Sequence, residues 1–535
     1  MTSNFNQPTF KAHSYEVEHK YNRVTIKTDN EKNLGEEPYL VYQTKYREEQ
    51  EKMQKDGDLY SAKIYTLKPD FKYHILYKDT GKVDLKDGKD YEINPREMQQ
   101  KVAHDSRIMH KQPLVFSIKE GKTVGKILYN DKGYDVFDDE MPEFSEPTIL
   151  VTPHFFHSVR NPNIVGIIFT SNDVGAFSHI TTRLRLMTDV CGGVFEPETI
   201  KKLLSMDGKN VELEIKNDSI NFHETNKSGK PMTYPKINVP KLKPCDKVLT
   251  SKEYSSDIIG AKAVNLRRLE ELKEQGKIDV IIPKSMALPS GYLEPLVDKT
   301  GDYEKYRKLF DEYMSNGEME KLRDVIKENG IDTPVIMVRS SFNGEDLPDY
   351  SAAGIYKTKC AYPDNKENLF NSIRVVANSK YNNDALYSRK MYNIPEEDIQ
   401  PGIILQEMIK PDYKFTLYTD DGKGNVKFDL YSDKGWLYEG IINPHTFTYN
   451  KKTGKLTYNS IQLGCPVGKF NENQEMESLE PIEGDLSNNE KIMEQIKKVA
   501  QNALVVEKEF GAPQDIEGGL KDDDIYFWQT RNIVR

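Results

Sequence analysis

Hydrophobic and polar positions change rhythm several times along this chain. Up to residue 138, tyrosine, valine and isoleucine alternate with polar residues, as in "YEVEHKYNRVTIKT", "LYSAKIYTL" and "FKYHILYKD". Alternation with period two marks half-buried strands, and the intervening "KDG" and "KDTGK" read as turns. A small β-rich domain is predicted over 1–138, closed by the acidic "FDDEMPEFSEP". Over 139–228 the rhythm becomes short continuous apolar runs, "PTILVTP" and "NIVGIIFTS", as expected of strands covered on both faces. In "SHITTRLRLM" the residues Ile180, Leu184 and Met187 recur at helical spacing, so a compact α/β unit is expected. Residues 229–247 hold four prolines and few apolar positions, which predicts a semi-rigid extended linker. The remainder, 248–535, mixes amphipathic helices such as "AVNLRRLEELKEQG", stopped at Gly276, with buried strands "PVIMVRSS", "GIILQEMI" and "IYFWQT". The predicted fold class is multidomain α/β (α+β), without internal repeats.

Composition narrows the picture. At 535 residues the chain exceeds one hydrophobic core, and about three domains of ~150–200 residues are expected. A net charge of −10, with both signs mixed along the chain, argues against a nucleic-acid partner, which calls for a basic face. The N-terminus has no apolar segment of the secretory kind, and the longest apolar runs are far too short to cross a bilayer. No membrane partner and a cytoplasmic location are therefore expected. The four cysteines, Cys191, Cys245, Cys360 and Cys465, lack CxxC spacing and read as free thiols, not a disulfide framework or zinc site.

Four stretches carry candidate chemistry. In "FSHITTRLR" a loop of small and polar residues leads from a buried strand to His179 at a helix start, with Arg183 one turn on. Helix N-termini favour anions, so a phosphate held on His179 fits; a hydrogen-bonded structural histidine fits the same residues. In "MVRSSFNGEDLPDYSAAGIY" Arg339 ends an apolar strand where a guanidinium can fork onto phosphate oxygens, and an ordinary strand-end ion pair is the alternative. In "DIEGGLKDDDIYFWQTRNIV" Asp515 and Glu517 alternate along an extended segment, so both carboxylates face one side and suit Mg2+. Gln529 and Arg531 repeat that spacing on the next strand, while "KDDD" reads as a solvated hairpin turn. In "IGAKAVNLRRL" Lys262 opens a helix, where a lysine reaches phosphate or is simply solvated. No GxxxxGK[ST] phosphate loop is present, and "PHFFH" offers His154 and His157 without a third metal ligand.

Taken in order, these stretches resemble the dikinases that pass phosphate through a histidine, a superfamily including pyruvate phosphate dikinase and phosphoenolpyruvate synthase. The likeness covers 146–535 and is greatest to the α-glucan, water dikinases. "FSHITTRLR" resembles the family's Ser-His phosphohistidine motif; "IGAKAVNL" and "PKSMALPSGYLEPL" resemble the opening of its ATP-grasp domain. "RSSFNGEDLPDYSAAGIY", then "VVANSKYNNDALYSRK" with "ILQEMIKPDYKFTLYT", then "DIEGGL…YFWQTR" are similar to the segments that follow. The order, phosphohistidine before ATP-grasp, is that of the glucan dikinases.

The resemblance implies a swivelling phosphohistidine domain at 139–228 and a C-terminal ATP-grasp domain at 248–535. It implies that the β-phosphate of ATP passes to His179 and on to an acceptor, most simply a glucosyl hydroxyl of an α-glucan, while the γ-phosphate goes to water. On that reading His179, Arg183 and Arg339 are catalytic. Lys262 and Arg339 hold the ATP phosphates, Gln529 and Arg531 line the phosphate end, Gln406 and Glu407 pass the adenine, Glu345 is a further nucleotide-binding residue, and Asp515 and Glu517 bind Mg2+. The segment "FDLYSDKGWLYEGIINPHTF" departs from the family's Gly-Leu-Gly-Glu pattern, with Asp433 or Glu439 as substitutes. Two other readings stay open: the same chemistry on a small acceptor such as pyruvate or an antibiotic, and a non-catalytic binding protein built on a dikinase. Both tryptophans, Trp436 and Trp528, lie in the ATP-binding part, so an acceptor platform in 1–138 would have to be built from tyrosine.

Overall fold

The alternating N-terminal segment folds into two antiparallel sheets around a common core. The structure is a computed structural model describing residues 13–18, 23–43, 48–65, 71–109, 114–130, 144–153, 161–170, 181, 184, 190–347, 350, 352, 354–432, 444–460, 467–479 and 486–533. One sheet runs Met476–Leu479, Val467–Asn471, His13–Glu18, Arg23–Thr28, Leu59–Tyr65 and Gln54–Asp56. The other runs Glu48–Lys52, Pro38–Gln43, Phe71–Tyr77 and Lys82–Asp84, with Tyr91–Ile93 also on Phe71–Tyr77. The helix Pro95–Met109 adds Met98 and Val102 to the core. Two strands of the first sheet thus come from far along the sequence, and Phe470 is wholly buried among N-terminal residues.

Tyrosine builds this core. Tyr15, Tyr73, Tyr77 and Tyr91 are exposed by only 1, 0, 0 and 2%. The Tyr73 hydroxyl donates to that of Tyr15 at 3.0 Å, and His13 Nε2 meets Asp84 at 3.0 Å while its ring stacks on Tyr91. Tyr39 is half-buried, with Lys78 Nζ 3.8 Å from its ring centre. Tyr15, Tyr73, Tyr77 and Tyr91 therefore pack the core and offer no open face on which a sugar could stack.

The next unit is a seven-stranded sheet ordered Phe116–Lys119, Cys191–Val194, Ile164–Phe169, Thr148–Thr152, Gly121–Tyr129, Asn210–Lys216 and Ser219–Glu224. Its four central strands are parallel. Thr148–Thr152 and Ile164–Phe169 are buried at every position, which is why they read as continuous apolar runs. Sheet membership differs from the expected boundary at 138, because Phe116–Lys119 and Gly121–Tyr129 belong here. Their pattern could not reveal it: alternation tells a strand but not its sheet.

The third part holds two antiparallel sheets. The first is Leu249–Thr250, Ser285–Leu288, Ile403–Glu407, Ile336–Ser340 and Thr358–Ala361. One of its faces, with Ile336, Val338, Ile403 and Leu405, packs on the helices Glu318–Glu328 and Lys366–Ala377. The second is Leu456–Ser460, His445–Asn450, Asn425–Ser432, Tyr413–Tyr418, Gln514–Lys521 and Asp524–Asn532. It packs on the helices Ala261–Glu274 and Glu490–Phe510. The latter starts where Asn489 accepts the Ile492 N–H at 3.1 Å and stops at left-handed Gly511. Among the described residues no helix is long and apolar enough to cross a membrane.

Candidate active site

Strand alternation aims Arg339 away from the helical core. Ile336 and Val338 face that core, so Met337 and Arg339 face the second sheet. The Arg339 guanidinium donates to Gln406 Oε1 at 2.9 Å, the Trp528 carbonyl at 3.1 Å, Glu517 Oε2 at 3.3 Å and Gln529 Oε1. Gln529 Nε2 returns to Glu517 Oε1 at 3.0 Å. One planar cation therefore ties both sheets together through groups that its five N–H donors can serve simultaneously.

Asp515 and Glu517 sit on Gln514–Lys521, and the register sets them opposite Arg531 and Gln529. Asp515 is 1% exposed, and its Oδ2 accepts from Arg531 Nε at 2.8 Å and Nη2 at 2.6 Å. Its other oxygen, Oδ1, is buried without a hydrogen-bond partner. Burial raises the Asp515 carboxyl above its ordinary range, with Arg531 opposing. Both oxygens of Asp346, in a left-handed turn with φ 54°, are likewise buried without such a partner, and its charge acts on Asp515 and Arg531.

A second constellation fixes a helix start to a strand end. Ser341 Oγ donates to the Gly260 carbonyl at 3.0 Å and accepts the Ala263 N–H at 3.1 Å. Gly260 is required here, because a Cβ would collide with the carbonyl oxygens of Ser341 and Phe342. Lys262, the second residue of the helix, then meets Ser340 Oγ at 3.2 Å and pairs with Glu345. Glu345 is fully buried and also accepts the Phe342 N–H at 2.9 Å.

The set could hold a polyphosphate and a cation: Lys262, Arg339 and Arg531 supply positive charge, while Asp515 and Glu517 offer hard oxygen donors. Among the described residues no three or more His, Cys, Asp or Glu side chains close on one metal position. The orphaned Asp515 Oδ1 fits a cation that takes its remaining ligands from substrate phosphates, which is the habit of Mg2+.

Residues 316–535 match the family described as pyruvate phosphate dikinase, AMP/ATP-binding domain. The chain is 23% identical over 464 residues to α-glucan water dikinase 1, chloroplastic, of Arabidopsis thaliana, covering 75% of this chain and 32% of that protein. It is 26% identical over 278 residues to the probable phosphoenolpyruvate synthase of Methanocaldococcus jannaschii, covering 49% of this chain and 23% of that one. The family match over 316–535 and these relatives support a place for the chain in the superfamily of pyruvate phosphate dikinase and phosphoenolpyruvate synthase.

The matched stretch spans about a third of the glucan dikinase relatives. Among solved structures, D-alanine–D-alanine ligase from Bacillus anthracis complexed with ATP overlaps at TM-score 0.21 and 12% identity, over 51% of this chain and 57% of that one. That overlap is too slight to bear on the fold.

The structure brings together Lys262, Arg339, Glu345, Gln406, Asp515, Glu517, Gln529 and Arg531. Gln406, expected beside the adenine, is 1% exposed and spends its amide on Arg339 and, at 3.4 Å, the Trp528 carbonyl. Glu407 stands apart from the cluster, its Oε2 accepting the Lys284 N–H at 3.4 Å. His179 and Arg183 lie outside the described residues, as do His154, His157, Asp433 and Glu439; of "FSHITTRLR", Thr181 and Leu184 are described, both helical and buried. Sequence reasoning passed over Gly260, Ser341 and Asp346. The glycine before "AK" and the second acid of "NGED" were visible, but their part depends on segments distant in sequence coming together, Gly260 on Ser341 and Asp346 beside Asp515 and Arg531.

Proposed function

We propose that this chain is an ATP-dependent phosphotransferase that carries the β-phosphoryl group of ATP on His179 to an acceptor, and that the acceptor is a glucosyl hydroxyl of an α-glucan. The observation that carries the reading is the buried cluster between the two C-terminal sheets, where Arg339, Arg531 and Lys262 stand beside Asp515 with its unpartnered oxygen. On this reading the two sheets and their helices are an ATP-grasp nucleotide domain. Arg339 and Lys262 exchange their present partners for phosphate oxygens, and Arg531 opposes the rise that burial imposes on the Asp515 carboxyl. Asp515 and Glu517 would hold Mg2+, which when bound neutralises charge on the polyphosphate. Glu345 touches no substrate; it is a positioning residue for Lys262.

In the first transfer the bond between the β-phosphorus and its bridging oxygen to the α-phosphate breaks, an imidazole N–P bond forms, and AMP leaves. The bond between the γ-phosphorus and the oxygen bridging it to the β-phosphate breaks as water attacks, and the γ-phosphoryl group leaves as inorganic phosphate. In the second transfer the N–P bond breaks and a phosphate ester forms on the acceptor. Because phosphoryl transfer is mostly positioning and charge neutralisation, the cluster supplies what the first step asks of a protein.

The similarity to glucan dikinases supports the glucan acceptor, and that to phosphoenolpyruvate synthases supports pyruvate as the second reading. The test uses ATP labelled at the β or γ position, with glucan, pyruvate or buffer. The expected result is acid-labile β-label on the wild-type protein, absent from His179→Ala, chased onto glucan. Chase onto pyruvate selects the second reading, and β-label that persists in His179→Ala refutes the phosphohistidine. A chain that takes no label from either position is a binding protein.

A further inference from the structure

The hairpin formed by Val467–Asn471 and Met476–Leu479 leaves the chain between Leu456–Ser460, an edge strand of the second C-terminal sheet, and the helix Glu490–Phe510. It does not rejoin that sheet. Val467–Asn471 pairs antiparallel with His13–Glu18 from Ser14↔Asn471 to Glu18↔Val467. Phe470 completes the N-terminal core, and Gly468 lies so close to Val102 of the helix Pro95–Met109 that a Cβ would collide with it. The turn is held as well: Gln474 Nε2 donates to the Glu92 carbonyl at 3.0 Å, and Lys86 Nζ to the Glu472 carbonyl at 3.2 Å. The hairpin is joined to Ser460 of the C-terminal sheet and to Leu486, which packs on the core of that sheet, by 461–466 and 480–485, six residues each, a reach of at most about 25 Å apiece. The N-terminal domain is therefore tied to the C-terminal part by two short connectors that leave the same end of the hairpin, where Gly468 pairs with Leu479.

The 114–224 sheet has two attachments. One is the crossing from Met109 to residue 114. The other lies within the segment expected to be a linker over 229–247, and that segment is pinned at several points. Met232 donates its N–H to the Pro162 carbonyl at 2.7 Å and packs on the sheet's own core, and Gly229 sits where a Cβ would strike the Val124 carbonyl. Just beyond, Tyr234 meets Tyr392 with ring centres 5.1 Å apart, Ile237 N–H donates to the Tyr392 carbonyl at 3.1 Å, and Leu242 N–H donates to Gln400 Oε1 at 2.7 Å. Thr233 alone separates the residue bound to the moving side from the residue bound to the C-terminal side.

We infer that residues 13–109 are a brace: folded onto the 467–479 hairpin, they hold the N-terminal attachment of the 114–232 domain to the nucleotide-side part while that domain travels. A body attached at two fixed points swings on an arc and does not diffuse on a tether. That consequence for transfer rests on the phosphotransfer reading; the union of 13–109 with the hairpin does not.

The test uses the full chain carrying Glu16→Cys and Lys469→Cys. These half-buried partners face one another in register, and antiparallel partners stand at a Cα spacing a disulfide can bridge. The expected result is a 16–469 disulfide under mild oxidation, read by peptide mass, with β-label reaching His179 at the rate of the reduced protein. Failure to form the bond overturns the brace, and so does a bond that slows labelling roughly tenfold or more until reductant is added. A reduced protein that takes no label contradicts the phosphotransfer reading instead. Hydrogen exchange on Gly468→Val then decides the brace alone: protection is expected to fall in 13–18 and 467–471 together while 413–418 and 514–521 keep theirs. Undiminished protection in 13–18 overturns it.

Discussion

Asp515 and Glu517 stand two residues apart on one strand, yet they answer to different partners. Asp515 is buried against Arg531, whereas Glu517 keeps 18% of its side-chain surface and shares Arg339 with Gln406, Gln529 and a carbonyl. Removing Asp515 strands a buried guanidinium, a change that costs about 3–5 kcal/mol. Removing Glu517 leaves Arg339 three acceptors and is expected to cost about 1 kcal/mol or less. Urea unfolding of Asp515→Ala and Glu517→Ala measures the contrast, and equal midpoints would contradict this account. Glu517→Ala is thus the cleaner probe of Mg2+ dependence. The i, i+2 spacing of the two carboxylates was legible in the sequence; their unequal burial was not, because it depends on where Arg531 falls across the hairpin. Cysteine shows the same limit. Burial pushes the Cys191 thiol up to about 12, while Cys360 is exposed on Thr358–Ala361. Iodoacetamide at pH 8 is expected to modify Cys360 and spare Cys191 in the native chain, since the thiolate is the reactive form; equal modification of both would refute the burial of Cys191.

The helix Ala261–Glu274 was predictable from its apolar spacing, and Ala263, Leu266, Leu269 and Leu272 indeed line its buried face. What periodicity could not tell is why the helix starts where it does. Its first turn is seated on Ser341, and the contact closes only because residue 260 lacks a side chain. Gly260→Ala is expected to push the helix start off the strand end and carry Lys262 away from Glu345. Overpacking of that kind costs about 1–3 kcal/mol. Nucleotide binding is expected to suffer more than stability, because Lys262 rides on the displaced turn. Calorimetric titration with ATP beside thermal melting would show this, and a variant with wild-type affinity would sink the proposed role of the glycine. The strands "PVIMVRSS" and "YFWQT" were legible for the same reason as the helix: one face is continuous core. The loop "SSFNGED" was legible only as polar and glycine-bearing, since its bonds are to segments distant in sequence.

For the whole molecule, chain order misleads about which residues fold together. A boundary at 138 follows the change of rhythm, but Gly121–Tyr129 lies between Thr148–Thr152 and Asn210–Lys216 in the middle of the next sheet. A deletion of 1–138 therefore does more than remove a module. It takes a central strand from the domain that carries His179, leaving unpaired backbone groups on the strands to either side. It also strips His13–Glu18 from Val467–Asn471 and uncovers Phe470. The truncated protein is expected to be aggregation-prone and to take no β-label. A deletion of 1–109 spares the seven-stranded sheet but still exposes the 467–479 hairpin. Removing that hairpin as well, by joining Ser460 directly to Leu486, takes away the exposed surface. The doubly trimmed protein is expected to be more soluble than the 1–109 deletion and to bind ATP, since every residue of the charged cluster is retained. Soluble yield and ATP titration of the three proteins check the argument. A 1–138 deletion that is soluble and labelled like the full chain would refute it, because the central sheet would then be able to close without Gly121–Tyr129.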